Sequence, residues 1–247
     1  MRTITLDELN RADAMMTRVD RKYLLNHAEA AQLHESLPAD TRVLSINGVT
    51  SHRYDTTYYD TPGLQSYFSA VRKLRKRYKV RVRTYVETDM QFLEVKTKGP
   101  RGVTVKQRVP YEDDPIAAWE WANALLAHET SGLPADHAGF TAPQKLRPVL
   151  RNTYRRMTLS PPDQGRATID RDLTWSNPHG KLIQGLDLVV VETKSGAVPS
   201  SIDQLLWALG HRPRRVSKFG CGMALLYPEL PSNNWHRTLR RYFLRAS

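Results

Sequence analysis

A single cysteine, Cys221, occurs in the 247 residues, which excludes an internal disulfide and any CxxC metal site. A reducing compartment is the simpler setting for such a chain, and it reads as cytoplasmic. The opening, MRTITLDELNRADAMM, has no apolar stretch of a secretory leader, and no run elsewhere approaches the length of a membrane span. Neither GxxxxGKS/T nor GxGxxG occurs, so nucleotide binding through a P-loop or a Rossmann turn is unsupported. The eight histidines show no HExxH or other ligand spacing and read as scattered residues. Acid is also scarce: 25 Asp and Glu stand against 37 Lys and Arg, a formal net charge of +12.

What is present is a chain of ordinary globular composition, 40% apolar and 25% charged, long enough to bury a substantial core. It is read as one domain over 1–247, with a core of roughly 15–227 and a basic tail over 228–247. The excess charge is concentrated: residues 71–108 hold thirteen Lys and Arg against three acids. Within that region, residues 78–111 alternate with a period of two. Val80 and Val82, Leu93 and Val95, Val105 and Val109 fall on one face of three expected strands. Lys79, Arg81 and Arg83, then Glu94, Lys96 and Lys98, then Lys106 and Arg108 fall on the other. A sheet face this cationic needs an anionic partner or bulk water.

The rest of the chain repeats the pattern. Thr5 and Glu8 form an expected capping box ahead of a short helix. Residues 17–25 read as a first strand with Arg18, Asp20 and Lys22 on one face; Asn26 then caps a helix to about Leu37, stopped by Pro38. Ser51 to Asp60 reads as a strand closed by the turn Asp60-Thr-Pro-Gly63, and residues 64–76 as a helix. Gly99-Pro-Arg-Gly102 supplies a hairpin turn. Asp113-Asp114-Pro115 starts a helix stopped by Gly132, and 133–144 is a connector. Three further strands are expected: Leu146 to Ser160 with Arg147, Arg151 and Arg155 on one parity, Arg166 to Trp175, and Leu186 to Lys194. Ser200 and Ser201 cap a last amphipathic helix ended by Gly210.

About eight mostly antiparallel strands with inserted helices define an α+β chain. Eight strands can close into a barrel wide enough for a ligand, with the charged faces inward and the valine faces covered by helices packed outside. Burying many unpaired cations is costly, so such an interior holds water and a polyanion.

An ordered set of segments carries a resemblance. Arg18-Val-Asp-Arg-Lys-Tyr23, Tyr59-Asp-Thr-Pro62, Arg77-Tyr-Lys-Val-Arg-Val-Arg83, Phe92-Leu-Glu-Val-Lys-Thr-Lys98, Val105-Lys-Gln-Arg108, Arg147-Pro-Val-Leu-Arg-Asn-Thr-Tyr154, Ile169-Asp-Arg-Asp-Leu173, Val191-Glu-Thr-Lys194 and Ser217-Lys-Phe219 together resemble the VTC domain. That is the polyphosphate polymerase branch of the triphosphate tunnel metalloenzymes, related to CYTH domains. The resemblance implies an eight-stranded antiparallel β-barrel tunnel that moves the γ-phosphate of ATP onto a growing polyphosphate chain with Mn²⁺ or Mg²⁺.

Carried over by position, it implies that Lys22, Arg81, Arg83, Lys96, Lys106, Arg151 and Arg166 hold the nucleotide triphosphate and the product. Lys218 matches a basic residue on a C-terminal helix near the tunnel mouth, and Lys98, Arg108, Tyr154 and Lys194 are implied neighbours. Glu192 matches the carboxylate that holds the metal. Glu94 reads equally as a second metal ligand or as a counter-charge for Lys96 and Arg81, and Asp170 as a residue that orders nearby arginines. Hydrolytic tunnel enzymes carry ExExK on the first strand, where this chain has Arg18, Asp20 and Lys22, which favours polymerisation over hydrolysis. A metal-dependent inorganic triphosphatase and a non-catalytic polyphosphate-binding protein are the alternatives. A nucleic-acid module would need an exposed basic stripe with stacking aromatics, and none is read here. The tail from Trp235 to Arg245 reads as a packed terminal helix, with attachment to an acidic surface as the weaker reading.

Overall fold

The computed structural model describes residues 1–13, 19–98, 104–130, 145–163 and 165–243. Eight strands follow one another through antiparallel ladders: β2 (Val19–Leu25), β11 (Val189–Ser195), β9 (Arg166–Ser176), β8 (Arg147–Ser160), β4 (Ser51–Asp60), β5 (Arg77–Tyr85), β6 (Met90–Lys98) and β7 (Thr104–Pro110). The sheet curls into a half-barrel. Three short strands hang from this path: β1 (Arg2–Ile4) pairs β3 (Arg42–Leu44), β3 also pairs β8, and β10 (Leu182–Gln184) pairs β9.

Alternation divides the sheet as a period of two requires. On the convex face, Tyr23, Leu25, Leu159, Ile169, Val189 and Val191 are buried with residues of α2 (His27–Glu35) and α5 (Ser201–Ala208). Val80, Val82, Leu93 and Val95 are buried under α4 (Pro115–Thr130). The caps are local chemistry: Asn26 and Ser200 each close a capping box, and Thr5 and Glu8 bond each other's backbone amides ahead of α1 (Leu6–Asp13).

The concave face is filled at one end by α6 (Lys218–Leu226), which packs with α3 (Gln65–Val71) and α7 (His236–Tyr242) on Leu24, Tyr58, Leu150, Trp175 and Val190. Glycines let it seat this closely. A Cβ at Gly222 would lie 2.4 Å from the Trp175 ring, and one at Gly220 would lie 2.2 Å from Trp235. The other end of that face carries the charged residues.

The eight antiparallel strands with helices outside are as expected, and the barrel takes the form of a curled half-barrel, with no ladder joining β7 to β2 among the described residues. The structure differs from expectation in several places. The helix expected over 64–76 ends at Val71, and Lys73 takes a left-handed φ of 58°. The expected strand from Leu186 begins only at Val189. The hairpin turn at 99–102, the stop at Gly132, the connector at 133–144, Arg18 and the tail beyond Phe243 lie outside the described residues. Among the described residues no helix is long and apolar enough to cross a membrane.

Candidate active site

Register places the charged side chains. Lys79, Arg81 and Arg83 on β5 stand opposite Lys96, Glu94 and Phe92 on β6, and Lys96 and Glu94 stand opposite Lys106 and Arg108 on β7. Across the curl, Lys22 pairs with Glu192 and Asp20 with Lys194, whose other neighbour on β9 is Arg166. The sheet thus gathers most of the expected cations on one concave face.

Glu94 is the anchor of one wall. Arg81 Nε donates to its Oε2 at 2.6 Å, and Lys106 Nζ lies 2.6 Å from Oε1. The lysine contact is charge on charge, because Oε1 is buried and has no donor in hydrogen-bond geometry. Burial pushes the Glu94 carboxyl up, and Arg81, Arg83 and Lys106 overcome this and bring it down to about 2. Burial lowers the Lys106 ammonium to about 8 against the pull of Glu94.

The opposite wall is held by Glu192. Lys22 Nζ lies 3.2 Å from Glu192 Oε2, and Lys194 contacts Oε1 while also lying 3.1 Å from Asp20 Oδ2. Burial opposes ionisation of Glu192, but Lys22, Lys194 and Arg156 hold it well below the usual carboxylate range. The two walls share one electrostatic space: the Lys96 ammonium is lowered by burial and then felt by Asp20, Lys22, Glu192 and Lys194 across the gap.

Between the walls, Asp170 is fully buried and accepts from Arg156 at 2.6 and 2.8 Å and from Lys218, whose ammonium lies 4.8 Å from the Tyr154 ring centroid. Its carboxylate thus joins two cations, one on β8 and one on α6. Arg83 donates to Tyr154 Oη at 2.9 Å and to Thr56 Oγ1 at 3.3 Å.

Lys79 is half-buried and donates to Ser217 Oγ, the N-cap of α6, at 3.0 Å. Burial and the neighbouring Lys96, Lys22, Arg81 and Arg77 bring its ammonium down to about 7.

Placement corrects one site residue. Arg151 lies on the opposite parity of β8, exposed and ion-paired with Asp55, because Leu150, Asn152, Tyr154 and Arg156 take the concave positions. The register of β8 against β9 shifts between Thr153 and Arg155, where Asp172 adopts a φ of 55° and β9 changes parity. Arg156 is the residue that sequence reasoning missed, although its spacing from Tyr154 was a usable signal. Arg166 and Lys98 are half-buried at the ends of their strands, and Arg108 sits at the rim over Phe92, 4.5 Å from the ring centroid.

Among the described residues, no group of three or more His, Cys, Asp or Glu is placed to hold a metal ion. A divalent ion would therefore fit only as Mg²⁺ and Mn²⁺ often sit on phosphate enzymes, on one carboxylate with phosphate oxygens and water completing the shell. Glu192 suits this better than Glu94, because its partners are two lysines, point charges on flexible stems that a phosphate can draw away.

Comparison with curated proteins returned no match. Among solved structures the chain is similar to a candidate adenylyl cyclase of Hippeastrum, described as having a dominant triphosphatase activity, at 17% identity over 88% of this chain and 100% of that one with a TM-score of 0.47. It is also similar to a candidate adenylate cyclase of Bacillus halodurans, at 15% identity over 82% and 94% with a TM-score of 0.48. A third likeness is to a protein of Pyrococcus horikoshii, at 15% identity over 81% and 93% with a TM-score of 0.44. The profile of the VTC domain matches residues 17–227, most of the chain. The chain belongs to the VTC domain family.

Proposed function

We propose that this protein is an ATP-dependent polyphosphate polymerase. The observation that carries the reading is the state of the acids on the concave face: Asp20, Glu94, Asp170 and Glu192 are each ion-paired, while cations from both walls and from α6 converge around them. Such a surface suits a polyanion at both ends of a reaction, and among the described residues of the concave face it leaves no carboxylate free of a cation to activate water. Asp20 stands where hydrolytic tunnel enzymes carry a glutamate, and it is engaged by Lys194.

Phosphoryl transfer needs alignment and charge neutralisation more than a nucleophilic side chain. In this reading Lys22, Arg81, Arg83, Lys96, Lys106, Arg156, Arg166 and Lys218 bind the phosphates, and Tyr154 holds Arg83 in place. Lys98 and Arg108 act at the rim. A terminal oxygen of the growing chain attacks the γ-phosphorus of ATP, the bond to the β–γ bridging oxygen breaks, and ADP leaves. Glu192 would hold a divalent cation, which when bound neutralises charge on the transferred group. Lys194 and Lys22 pass from the carboxylate to phosphate oxygens.

Glu192→Gln tests the assignment, since it keeps shape and removes charge. The expected result is loss of metal-dependent turnover with metal-free tripolyphosphate binding retained or tighter. Wild-type turnover in that variant would place the metal elsewhere.

A further inference from the structure

Three basic segments remain outside the site described above. Residues 72–76 follow α3, residues 212–215 precede α6, and α7 carries Arg237, Arg240 and Arg241. Residues 61–86, 211–217 and 231–247 contain no Asp or Glu. The arginines at 72, 75, 212, 215, 237 and 241 are exposed.

The fold ties these segments together. Asn234 Nδ2 donates to Ala70 O at 2.8 Å and to Val71 O at 2.6 Å, which sets the start of α7 beside Arg72. One turn later, Thr238 Oγ1 donates to Arg215 O at 3.2 Å. The crest so formed adjoins the concave cluster: Arg214 N donates to Lys22 O at 2.7 Å, and Ser217, two residues beyond Arg215, accepts from Lys79.

We propose that this crest is a second polyanion site, a surface that holds the polyphosphate chain where it leaves the concave cluster. The proposal takes its ligand from the function read above. Two features select a flexible polyanion over a membrane. The apolar face of α7 is spent inward, with Trp235 and Leu239 buried and Tyr242 and Phe243 packed on the same core, so no apolar side remains to enter lipid. The cations are also continuous with those that grip the triphosphate, so a chain longer than the cluster meets the crest without leaving a positive field. The crest retains the product between additions, and a short triphosphate never reaches it.

The test uses the full chain without ATP, so that no turnover is required. Wild type and a variant with Arg72, Arg75, Arg212, Arg215, Arg237 and Arg241 each changed to Gln are titrated with tripolyphosphate and with long-chain polyphosphate at two salt concentrations. The crest predicts unchanged tripolyphosphate affinity, at least about a tenfold loss for the long chain, and a shallower fall with salt, as expected when counterion-releasing contacts are removed. Equal loss for both ligands, or no loss for the long chain, overturns it. So does a loss confined to phosphatidylserine vesicles or single-stranded RNA run in parallel. Lys106→Ala separates the two readings: if it leaves tripolyphosphate binding intact, the concave site fails, while the crest is still judged on the long chain alone.

Discussion

Arg81 and Glu94 face each other across β5 and β6, with Nε 2.6 Å from Oε2, and Lys106 approaches the other carboxylate oxygen from β7. In the proposed function this arrangement makes Glu94 the strut that positions two phosphate-binding cations, Arg81 and Lys106. Glu94→Gln is expected to leave the metal dependence of turnover in place and to tighten tripolyphosphate binding at low salt, because one negative charge leaves the site. Calorimetric titration with and without Mn²⁺ reads both. A variant that no longer needs metal would return Glu94 to the metal site.

Arg83 and Arg151 form a matched pair of opposite prediction. Arg83 is 6% exposed and bonded to Tyr154 and Thr56 on the concave face, whereas Arg151 points outward to Asp55. Arg83→Ala should weaken tripolyphosphate binding about tenfold or more, the scale of a lost charged hydrogen bond. Arg151→Ala should change it by less than about twofold, as for an exposed ion pair. Reversed effects would mean that β8 is read on the wrong parity.

Lys79 sets a pH dependence. Its ammonium is lowered to about 7 by burial and by four neighbouring cations, so the empty site holds it charged below that pH and largely neutral above. A bound phosphate favours the charged form, so binding above pH 7 takes up protons and affinity falls as pH rises through the range from 7 upward. Lys106, lowered to about 8, adds to the same trend at higher pH. Lys79→Arg should flatten the lower part of the curve. Titrating both proteins in buffers of different ionisation enthalpy checks this, since the ligand's own titration is common to both. Identical proton uptake in the two proteins would contradict the role.

Asp60 bears on stability. Fully buried, it accepts from the amides of Thr61, Ser66 and Tyr67 at 2.8, 2.9 and 3.0 Å and so anchors α3 to the end of β4. Asp60→Ala strands buried donors and should cost about 2–4 kcal/mol in a denaturant melt with little change in m-value. A loss below about 0.5 kcal/mol would show that the turn holds without it.

How far the sequence was legible follows from segment length and regularity. Ser51 to Asp60 is rich in tyrosine and threonine, closes on a turn, and forms a strand with the expected bounds. The three-residue strands β1, β3 and β10 are too short to show any period, and only their ladders reveal them. The concave placement of most candidate residues was legible because alternation fixes the face of β5, β6 and β7. Arg156 was hidden and Arg151 misplaced because both parities of β8 carry arginines: Arg147, Arg151 and Arg155 on one, Arg156 on the other. Concave placement is settled only by where Tyr154 and Asp170 lie. The half-closure of the barrel depends on which strands distant in the sequence pair, and no local pattern encodes that.

In the proposed function the site passes phosphate to phosphate and not to water. The most direct measurement incubates purified protein with ATP and Mn²⁺ or Mg²⁺ and quantifies ADP, orthophosphate and chain length from the same reaction. The expected result is ADP matched by phosphate in chains that lengthen with time, with little free orthophosphate. Steady release of orthophosphate from ATP or tripolyphosphate, with no chain longer than the substrate, would contradict it.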